Sequence, residues 1–299
     1  MAVELTTQTR EQTRARYPDD SGYVARDGVR VHYEVYGSGE PTVLLLPTWC
    51  LFHSRHWKLQ IPYLSRHSRV VTFDPRGNGK SDRPRDPKAY DEREYAADAL
   101  AVMDATATEQ AIVVGFSMGG QRGLILAAEH PERVAGAVFI GPSFPGGGEA
   151  LAARMEFDFD LEYETYEGWA KHNRHYWLSE YADWVAFFVG EMFPESHSTK
   201  PIEDGIGWGL ETDGEVLVST YDAPELTPED ARTLTSRVRC PVLVIHGGQD
   251  AQSSVTRGAA LADQTGGELV VLEGSGHAAH IRHPVKVSLL IREFLDSLA

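Results

Sequence analysis

Ser117 lies at the centre of the pentapeptide GFSMG (115–119), between the apolar run AIVV and the sequence QRGLILAAEH, whose apolar spacing is helical. This order predicts a strand, a sharp turn and a helix, with the serine at the tip of the turn. A residue in such a turn has a strained backbone that lifts its side chain clear of the sheet, and flanking glycines leave room for the strand and the helix. Ser117 is therefore the candidate nucleophile.

A serine hydroxyl is a poor nucleophile at neutral pH, so it needs a base within hydrogen-bonding reach and a third group that orients the base. His277 ends the turn GSGH, after the apolar run 269–272 and before the last predicted helix, and is the candidate base. Asp250 ends the loop HGGQD after the apolar run VLVI, whereas the loop after 134–140 offers no carboxylate. Asp250 is therefore the candidate acid, and the order Ser, Asp, His is the one expected for this type of nucleophile turn.

His280 and His283 follow His277 at intervals of three residues. Neither a cysteine nor a carboxylate accompanies these histidines at the spacing of metal ligands. We interpret them as loop and helix-start residues and predict no metal site and no organic cofactor.

The composition is that of a globular chain of 299 residues, 42% of them hydrophobic, with a formal net charge of −16. This charge disfavours nucleic acid and anionic membranes as partners, because phosphate-binding surfaces need clustered Lys and Arg. The polar opening segment lacks the apolar core of a signal peptide, and no apolar run reaches membrane-spanning length. The two cysteines, Cys50 and Cys240, cannot form a disulfide framework. We predict a cytoplasmic protein that acts on a small molecule; the oligomeric state is left open.

The elements that position these residues follow from the alternation of apolar runs with segments of helical periodicity. Such alternation predicts an α/β fold in which a mostly parallel sheet is flanked by helices on both faces. The predicted strands cover residues 29–36, 43–46, 70–73, 111–116, 134–140, 242–245 and 269–272. The predicted helices cover residues 54–66, 94–105, 121–130, 255–264 and 284–298.

The alternation breaks between residues 142 and 239, where the chain is crowded with aromatic residues. The break follows the predicted strand 134–140, so the segment would overhang the carboxyl ends of the strands and hence Ser117. Its aromatic residues could line a substrate pocket or give the segment a core of its own. We predict a polar N-terminal tail at 1–22, a core of 23–141 and 240–299, and an inserted, mainly helical lid at 142–239.

These motifs together resemble the α/β-hydrolase superfamily over about residues 24–299. The resemblance is carried by HYEVYGSG, the loop PTWC, the segment DPRGNGKSD (74–82), the serine turn, HGGQD and GSGH. It implies an α/β-hydrolase fold in which Asp74, Arg76 and Asp82 fix a loop beside the active site rather than take part in the chemistry. Epoxide hydrolases and haloalkane dehalogenases carry an aspartate where this chain has Ser117, so acyl chemistry is favoured over both of those reactions.

Many relatives have His-Gly where this chain has Pro47-Thr48. An oxyanion hole needs backbone N–H groups, one after the nucleophile, at Met118, and one from the loop after the first buried strand. We predict Trp49 for the second, in a hole shaped by the restricted backbone of Thr48. The residues predicted as possible pocket residues are Thr48, Cys50, His53, Trp169, Trp177 and Trp208.

The predicted function is that of a serine hydrolase that cleaves a carboxylic ester or lactone with an apolar portion through an acyl-enzyme. Two alternatives share the fold. One is carbon–carbon bond hydrolysis, or acyl transfer or cyclisation in specialised metabolism, with the same Ser-His-Asp triad. The other is a ligand receptor without catalysis. An ester gives an alcohol and an acid, carbon–carbon cleavage gives two carbonyl fragments, and a receptor binds without turnover.

Overall fold

The computed structural model describes residues 14–149, 156–196 and 198–298. The strands in these ranges form a single sheet of order β1-β2-β4-β3-β5-β6-β7-β8. Only β1 with β2 and β2 with β4 pair in antiparallel fashion, and every other neighbouring pair is parallel. The strands are β1 (Asp20–Arg26), β2 (Val29–Tyr36), β3 (Thr42–Leu45), β4 (Arg69–Phe73), β5 (Ala111–Phe116), β6 (Val134–Ile140), β7 (Val242–Gly247) and β8 (Glu268–Leu272).

Both faces of the sheet are covered. Val43 and Leu45 of β3 belong to one hydrophobic cluster and Leu44 belongs to a second, as the alternation of side chains along a strand requires. The helices of the described residues are α1 (Ile61–Leu64), α2 (Glu92–Ala105), α3 (Gly119–Glu129), α4 (Arg174–Ser179), α5 (Tyr181–Glu191), α6 (Lys200–Gly209), α7 (Gly214–Tyr221), α8 (Pro228–Thr235), α9 (Val255–Thr265), α10 (Ala279–Arg282) and α11 (Pro284–Ser297). None of these helices is long and apolar enough to cross a lipid bilayer.

The mostly parallel sheet and its flanking helices confirm the predicted fold class, and two local predictions need correction. The segment 54–66 is not one helix but a short 3₁₀ turn (Ser54–Trp57) followed by α1. Pro62 lies in the first turn of α1, where its missing N–H is tolerated, and it could not sit inside a longer helix.

The second correction concerns the tail at 1–22, because β1 already begins at Asp20. This strand lies at the edge of the sheet, and a tight turn at Asp27 and Gly28, both with positive φ, joins it to β2. Its alternation of exposed and half-buried residues is the weak signature of an edge strand, and for that reason it was missed.

Between β6 and β7, the described residues are mainly helical from the 3₁₀ turn Gly168–Lys171 to α8, and residues 141–149 and 156–167 form turns and irregular structure. The last helix differs from the others in the face of the sheet on which it packs. Ala231 and Leu234 of α8 share a cluster with Ile125 of α3, whereas the buried apolar residues of α4 to α7 belong to the other cluster. The predicted insertion of 142–239 therefore ends with a helix that packs on the core. The domain boundaries themselves stay a prediction.

Candidate active site

Ser117 occupies the turn between β5 and α3 with a φ of +53°, in the left-handed region that residues other than glycine avoid. Its N–H donates to the carbonyl of Ile140 at 2.9 Å, and its carbonyl accepts from the N–H of Ser143 at 3.0 Å, so the adjacent strand holds the turn in place. A Cβ at Gly115 would lie 2.2 Å from the carbonyl oxygen of Gly119. This glycine is thus required by the close approach of strand and helix.

The three side chains predicted as nucleophile, base and acid lie in one hydrogen-bonded chain. The Nε2 of His277 is 3.0 Å from the Oγ of Ser117, and its Nδ1 is 2.7 Å from the Oδ2 of Asp250. An ionised carboxylate only accepts hydrogen bonds, so Nδ1 carries the proton and Nε2 is free to accept from the serine hydroxyl. This tautomer is the one that a general base for Ser117 requires.

Asp250 is buried, and both of its carboxylate oxygens accept hydrogen bonds. Its Oδ1 accepts the backbone N–H groups of Gln252 at 2.7 Å and Ser253 at 2.8 Å. Burial alone would raise the pKa of Asp250, but the histidines beside it, His277 and His246, hold that pKa well below its usual range. The carboxylate therefore stays ionised throughout the neutral range and can steady a cationic imidazolium.

His246 is a second histidine on the same carboxylate. Its ring is fully buried at the end of β7, with Nε2 lying 3.2 Å from the Oδ2 of Asp250 and 2.9 Å from the carbonyl oxygen of Ser253. Both neighbours are acceptors, so Nε2 carries the proton. A Cβ at Gly258 would lie 2.3 Å from Nδ1, which explains a glycine inside α9. His246 is not among the predicted site residues, although it opens the motif HGGQD that contains Asp250.

Arg122 on α3 fixes the loop after β3. Its Nη1 donates to the carbonyl oxygens of Pro47 at 2.9 Å and Thr48 at 2.5 Å, and its Nε lies 2.8 Å from Glu92. In a trans peptide group the C=O and N–H point in opposite directions. The N–H of Trp49 therefore points away from Arg122. No spacing rule marks Arg122 in the sequence, because Glu92 lies 30 residues earlier and the two carbonyls lie more than 70 residues earlier.

Two backbone amides near Ser117 are unused. Within the described ranges, the N–H groups of Met118 and Trp49 make no hydrogen bond to a protein acceptor. Both residues line the same cavity as Ser117. They are therefore available to a ligand oxygen, as the prediction of an oxyanion hole requires, and that role stays a prediction.

Ser117 opens into a cavity of about 390 Å³. We call the residues contributed by the strand-end loops the floor; they include Ser117, Met118, Ser143, Gln252 and His277. We call the lining residues between positions 157 and 226 the roof; they include Phe157, Phe159, Phe188, Thr220 and Tyr221. The floor presents the hydrogen-bonded groups around Ser117, whereas the roof is mainly apolar and contains several aromatic side chains. Such a cavity suits a ligand with an apolar body and one polar reacting group.

Of the residues predicted as possible pocket residues, only Thr48 lines this cavity. Trp177 and Trp208 are fully buried, as are Cys50 and His53, and Trp169 is half-buried. None of these five is part of the cavity wall, which corrects the prediction.

The predicted pocket residues that do not line the cavity pack against other side chains. The ring of Trp177 stacks on His172, with centroids 4.9 Å apart, and Trp169 packs edge-on against Phe187 at 5.4 Å. Trp208 lies edge-on to His53 with centroids 6.1 Å apart. Trp177 and Trp208 thus belong to a hydrophobic cluster that joins the helical segment to the loop after β3 and to one face of the sheet.

The three regularly spaced histidines do not converge. His277 pairs with Asp250, whereas the Nε2 of His280 lies 3.1 Å from the Nδ1 of His56 in a fully buried pair. His283 precedes α11 as its cap residue. In the part of the chain that the structure describes, no group of three or more His, Cys, Asp or Glu side chains is arranged to hold a metal ion.

Comparison of the sequence with known proteins identifies a family and several relatives. The profile of a family described as alpha/beta hydrolase fold matches residues 41–284. The chain is 26% identical to the 2-hydroxymuconate semialdehyde hydrolase of Pseudomonas sp. strain CF600, over 93% of this chain and 96% of that protein. It is 29% identical to the serine hydrolase BPHL of Mus musculus, over 92% of this chain and 86% of that protein.

Solved structures agree on the fold. The enol-lactonase from Burkholderia xenovorans LB400 superposes with a TM-score of 0.75 at 24% identity, covering 92% of this chain and 100% of that one. The esterase RhEst1 from Rhodococcus sp. ECU1013 superposes with a TM-score of 0.78 at 24% identity, covering 93% and 98%. At these identities the likeness concerns the fold alone.

Proposed function

The chain belongs to the α/β-hydrolase family and is a hydrolase, and from that premise we propose that it cleaves a carboxylic ester or lactone with an apolar portion, with Ser117 as nucleophile. The observation that carries this proposal is the hydrogen-bonded chain from Ser117 through His277 to Asp250, open to a cavity with a mainly apolar roof. This arrangement supports the assignment of a nucleophile, its base and an orienting acid for acyl transfer to the serine.

The reaction begins when the Oγ of Ser117 attacks the carbonyl carbon of the ester and its proton passes to the Nε2 of His277. The imidazolium that results faces the ionised carboxylate of Asp250, which steadies its charge. His277 then gives the proton to the departing alkoxide oxygen, and the acyl group remains on Ser117. Water attacks this acyl-enzyme while His277 takes its proton, and the same proton returns to Ser117 as the acid leaves.

The tetrahedral intermediates carry a negative oxygen, for which we propose the N–H groups of Met118 and Trp49 as donors. Arg122 supports this assignment, because its bond to the carbonyl oxygen of Thr48 fixes the orientation of the peptide group that carries the Trp49 N–H. The hole needs only backbone amides, so Pro47-Thr48 in place of His-Gly is compatible with it.

We propose that the helical segment between β6 and β7 acts as a lid over the reacting centre. Its aromatic side chains, such as Phe159 and Phe188, exclude water from one side of the cavity and contact the apolar portion of the substrate. The substrate is a small molecule, and the cytoplasmic location remains a prediction from the sequence.

A second candidate is hydrolysis of a carbon–carbon bond. It is favoured by the similarity, along almost the whole chain, to the 2-hydroxymuconate semialdehyde hydrolase. The same residues would serve, because Ser117 or a water that it activates would attack a carbonyl carbon in either reaction. Product analysis separates the two, since only an ester releases an alcohol.

The test of the proposed function is labelling by a fluorophosphonate, followed by intact-protein mass spectrometry, with p-nitrophenyl butyrate turnover measured in parallel. We expect one adduct and measurable turnover in the native chain, and neither in Ser117→Ala. Ser143→Ala is the matched control, because this serine also lines the cavity but its hydroxyl has no hydrogen bond to a histidine among the described residues; it should retain both. Labelling that persists in Ser117→Ala would refute the assignment of the nucleophile.

A further inference from the structure

Arg257 is the one lysine or arginine among the described residues that line the cavity. It lies in the first turn of α9, just after the segment that carries Asp250. Nothing in the proposed reaction at Ser117 uses it. The other charged groups of the cavity wall are Glu92, which is paired with Arg122, and the exposed Glu225.

The guanidinium of Arg257 lacks a carboxylate partner within the described residues. Its Nε donates to the backbone carbonyl of Glu149 at 3.2 Å, and no ion pair involves this arginine. Burial lowers the pKa of Arg257, with no acidic group to raise it again, although an arginine stays charged at neutral pH. A partly buried cation without a counter-ion is costly, and an anionic ligand offsets that cost.

Gln252 lines the same cavity as Arg257 and lies five residues before it in the chain. The residue is 7% exposed, and neither its Oε1 nor its Nε2 has a hydrogen-bond partner among the described residues. Buried amides are normally hydrogen-bonded, so this amide gains a partner when its side chain turns towards a ligand in the cavity. Its Nε2 supplies a donor, and its backbone is held by the Oδ1 of Asp250.

The surroundings of the two side chains are rigid. The Oγ of Ser253 donates to the carbonyl of Pro142 at 2.8 Å, and the N–H of Glu149 donates to the Oγ1 of Thr256 at 2.9 Å. The loop after β6 is thereby bound to the start of α9. A guanidinium held on such a frame loses little further freedom when it binds a planar anion.

We propose that Arg257 and Gln252 form a subsite for a carboxylate of the substrate, so that the enzyme cleaves esters or lactones that also carry a free carboxylate. The planar fork of a guanidinium matches the two oxygens of a carboxylate, and the amide of Gln252 adds a third donor. The aromatic roof lies over the apolar body between the carboxylate and the ester. This inference rests on the proposed ester hydrolysis at Ser117.

The test compares two pairs of esters that differ only in charge. Monomethyl terephthalate and its carboxamide place the group on the acyl side, and para-acetoxybenzoate and its carboxamide place it on the alcohol side. In at least one pair, we expect the native chain to prefer the carboxylate by roughly tenfold to a hundredfold in kcat/KM, the range for a hydrogen bond to a charged group. Arg257→Gln should abolish this preference and leave the carboxamide within about twofold.

Three further variants sharpen the result. Arg257→Lys keeps the charge but loses the fork, so it should retain part of the preference. Gln252→Leu should weaken the preference less than Arg257→Gln does. Arg239→Gln removes an equal charge from an exposed site outside the cavity and should change nothing.

Binding measurements distinguish a failure of the proposed carboxylate subsite from a failure of the proposed ester hydrolysis. Calorimetry on Ser117→Ala measures affinity for the same esters without turnover, and we expect the carboxylate of the preferred pair to bind more tightly only while Arg257 is present. Equal binding and turnover within both pairs would overturn the subsite, as would a loss in Arg257→Gln that affects carboxylate and carboxamide alike. Tight, Arg257-dependent binding without turnover of any ester would uphold the subsite and refute the hydrolysis.

Discussion

The floor and the roof of the cavity are held in place by different kinds of contact. In the floor, Ser117, His277 and Asp250 are fixed by hydrogen bonds of 2.7 to 3.0 Å. The roof is held mainly by packing between rings, as where Phe188 meets Trp49 edge-on with centroids 5.4 Å apart, with a hydrogen bond from the Nε1 of Trp49 to the Oγ1 of Thr220 at 2.8 Å. Hydrogen bonds fix direction, whereas packing fixes volume. We infer that the floor determines which reaction occurs and the roof determines which substrates reach it.

Among substitutions in the floor, we expect Asp250→Asn to reduce activity most. The amide would present an N–H to His277 and favour the wrong tautomer, so we expect kcat to fall roughly ten-thousandfold. The measurement is steady-state hydrolysis of p-nitrophenyl butyrate, with circular dichroism as a check that the fold is retained. A well-folded variant with nearly native kcat would move the orienting acid to another residue.

We expect a smaller loss of activity from His246→Phe, beside the floor residues. An aromatic ring, somewhat larger than imidazole, remains but the donor to Asp250 and Ser253 is lost, so we expect kcat to fall roughly tenfold while KM changes little. His246→Gln, whose amide can donate from a similar position, is the matched control and should recover most of the rate. If the two variants lose activity equally, His246 matters for packing and not for the carboxylate.

The roof should respond differently. Phe188→Ala enlarges the cavity without touching the hydrogen-bonded chain, so we expect kcat/KM for p-nitrophenyl octanoate to fall roughly tenfold and that for p-nitrophenyl acetate to change little. Phe187→Ala is the control, because this neighbouring phenylalanine does not line the cavity. An equal loss for both esters would mean that the roof also shapes the reacting centre, and the distinction between the two regions would fail.

The floor of the cavity was also easier to predict from the sequence than the roof. The strands other than β1 and the positions of Ser117, Asp250 and His277 were predictable, because each depends on a local pattern of strand, turn and helix. The catalytic roles of these three residues still await the experiments above. His246 also belongs to a local motif, yet its bond to Asp250 depends on how the loop folds back, and spacing does not encode that.

The pocket was harder to predict. Burial preference says that a tryptophan is inside the protein but not which space it faces, so Trp177 and Trp208 were assigned to a wall that they do not form. Arg122 and Arg257 were missed for a related reason. The sequence shows two charged residues on helices, and only the structure shows that one has its carboxylate and two carbonyls while the other has no carboxylate partner within the described ranges.

The bond from Arg122 to the loop after β3 has one further consequence. Ser117 and Met118 immediately precede α3, and Arg122 of that helix donates to the carbonyl oxygen of Thr48, in the peptide group that carries the Trp49 N–H. The three groups proposed to contact the reacting carbonyl are therefore joined through the side chain of Arg122. Trp49 is also joined to the roof, because its ring packs against Phe188 and its Nε1 donates to the Oγ1 of Thr220 at 2.8 Å. A displacement of the roof would therefore act on one of the two proposed oxyanion donors, and the hydrogen bond from Arg122 would oppose it.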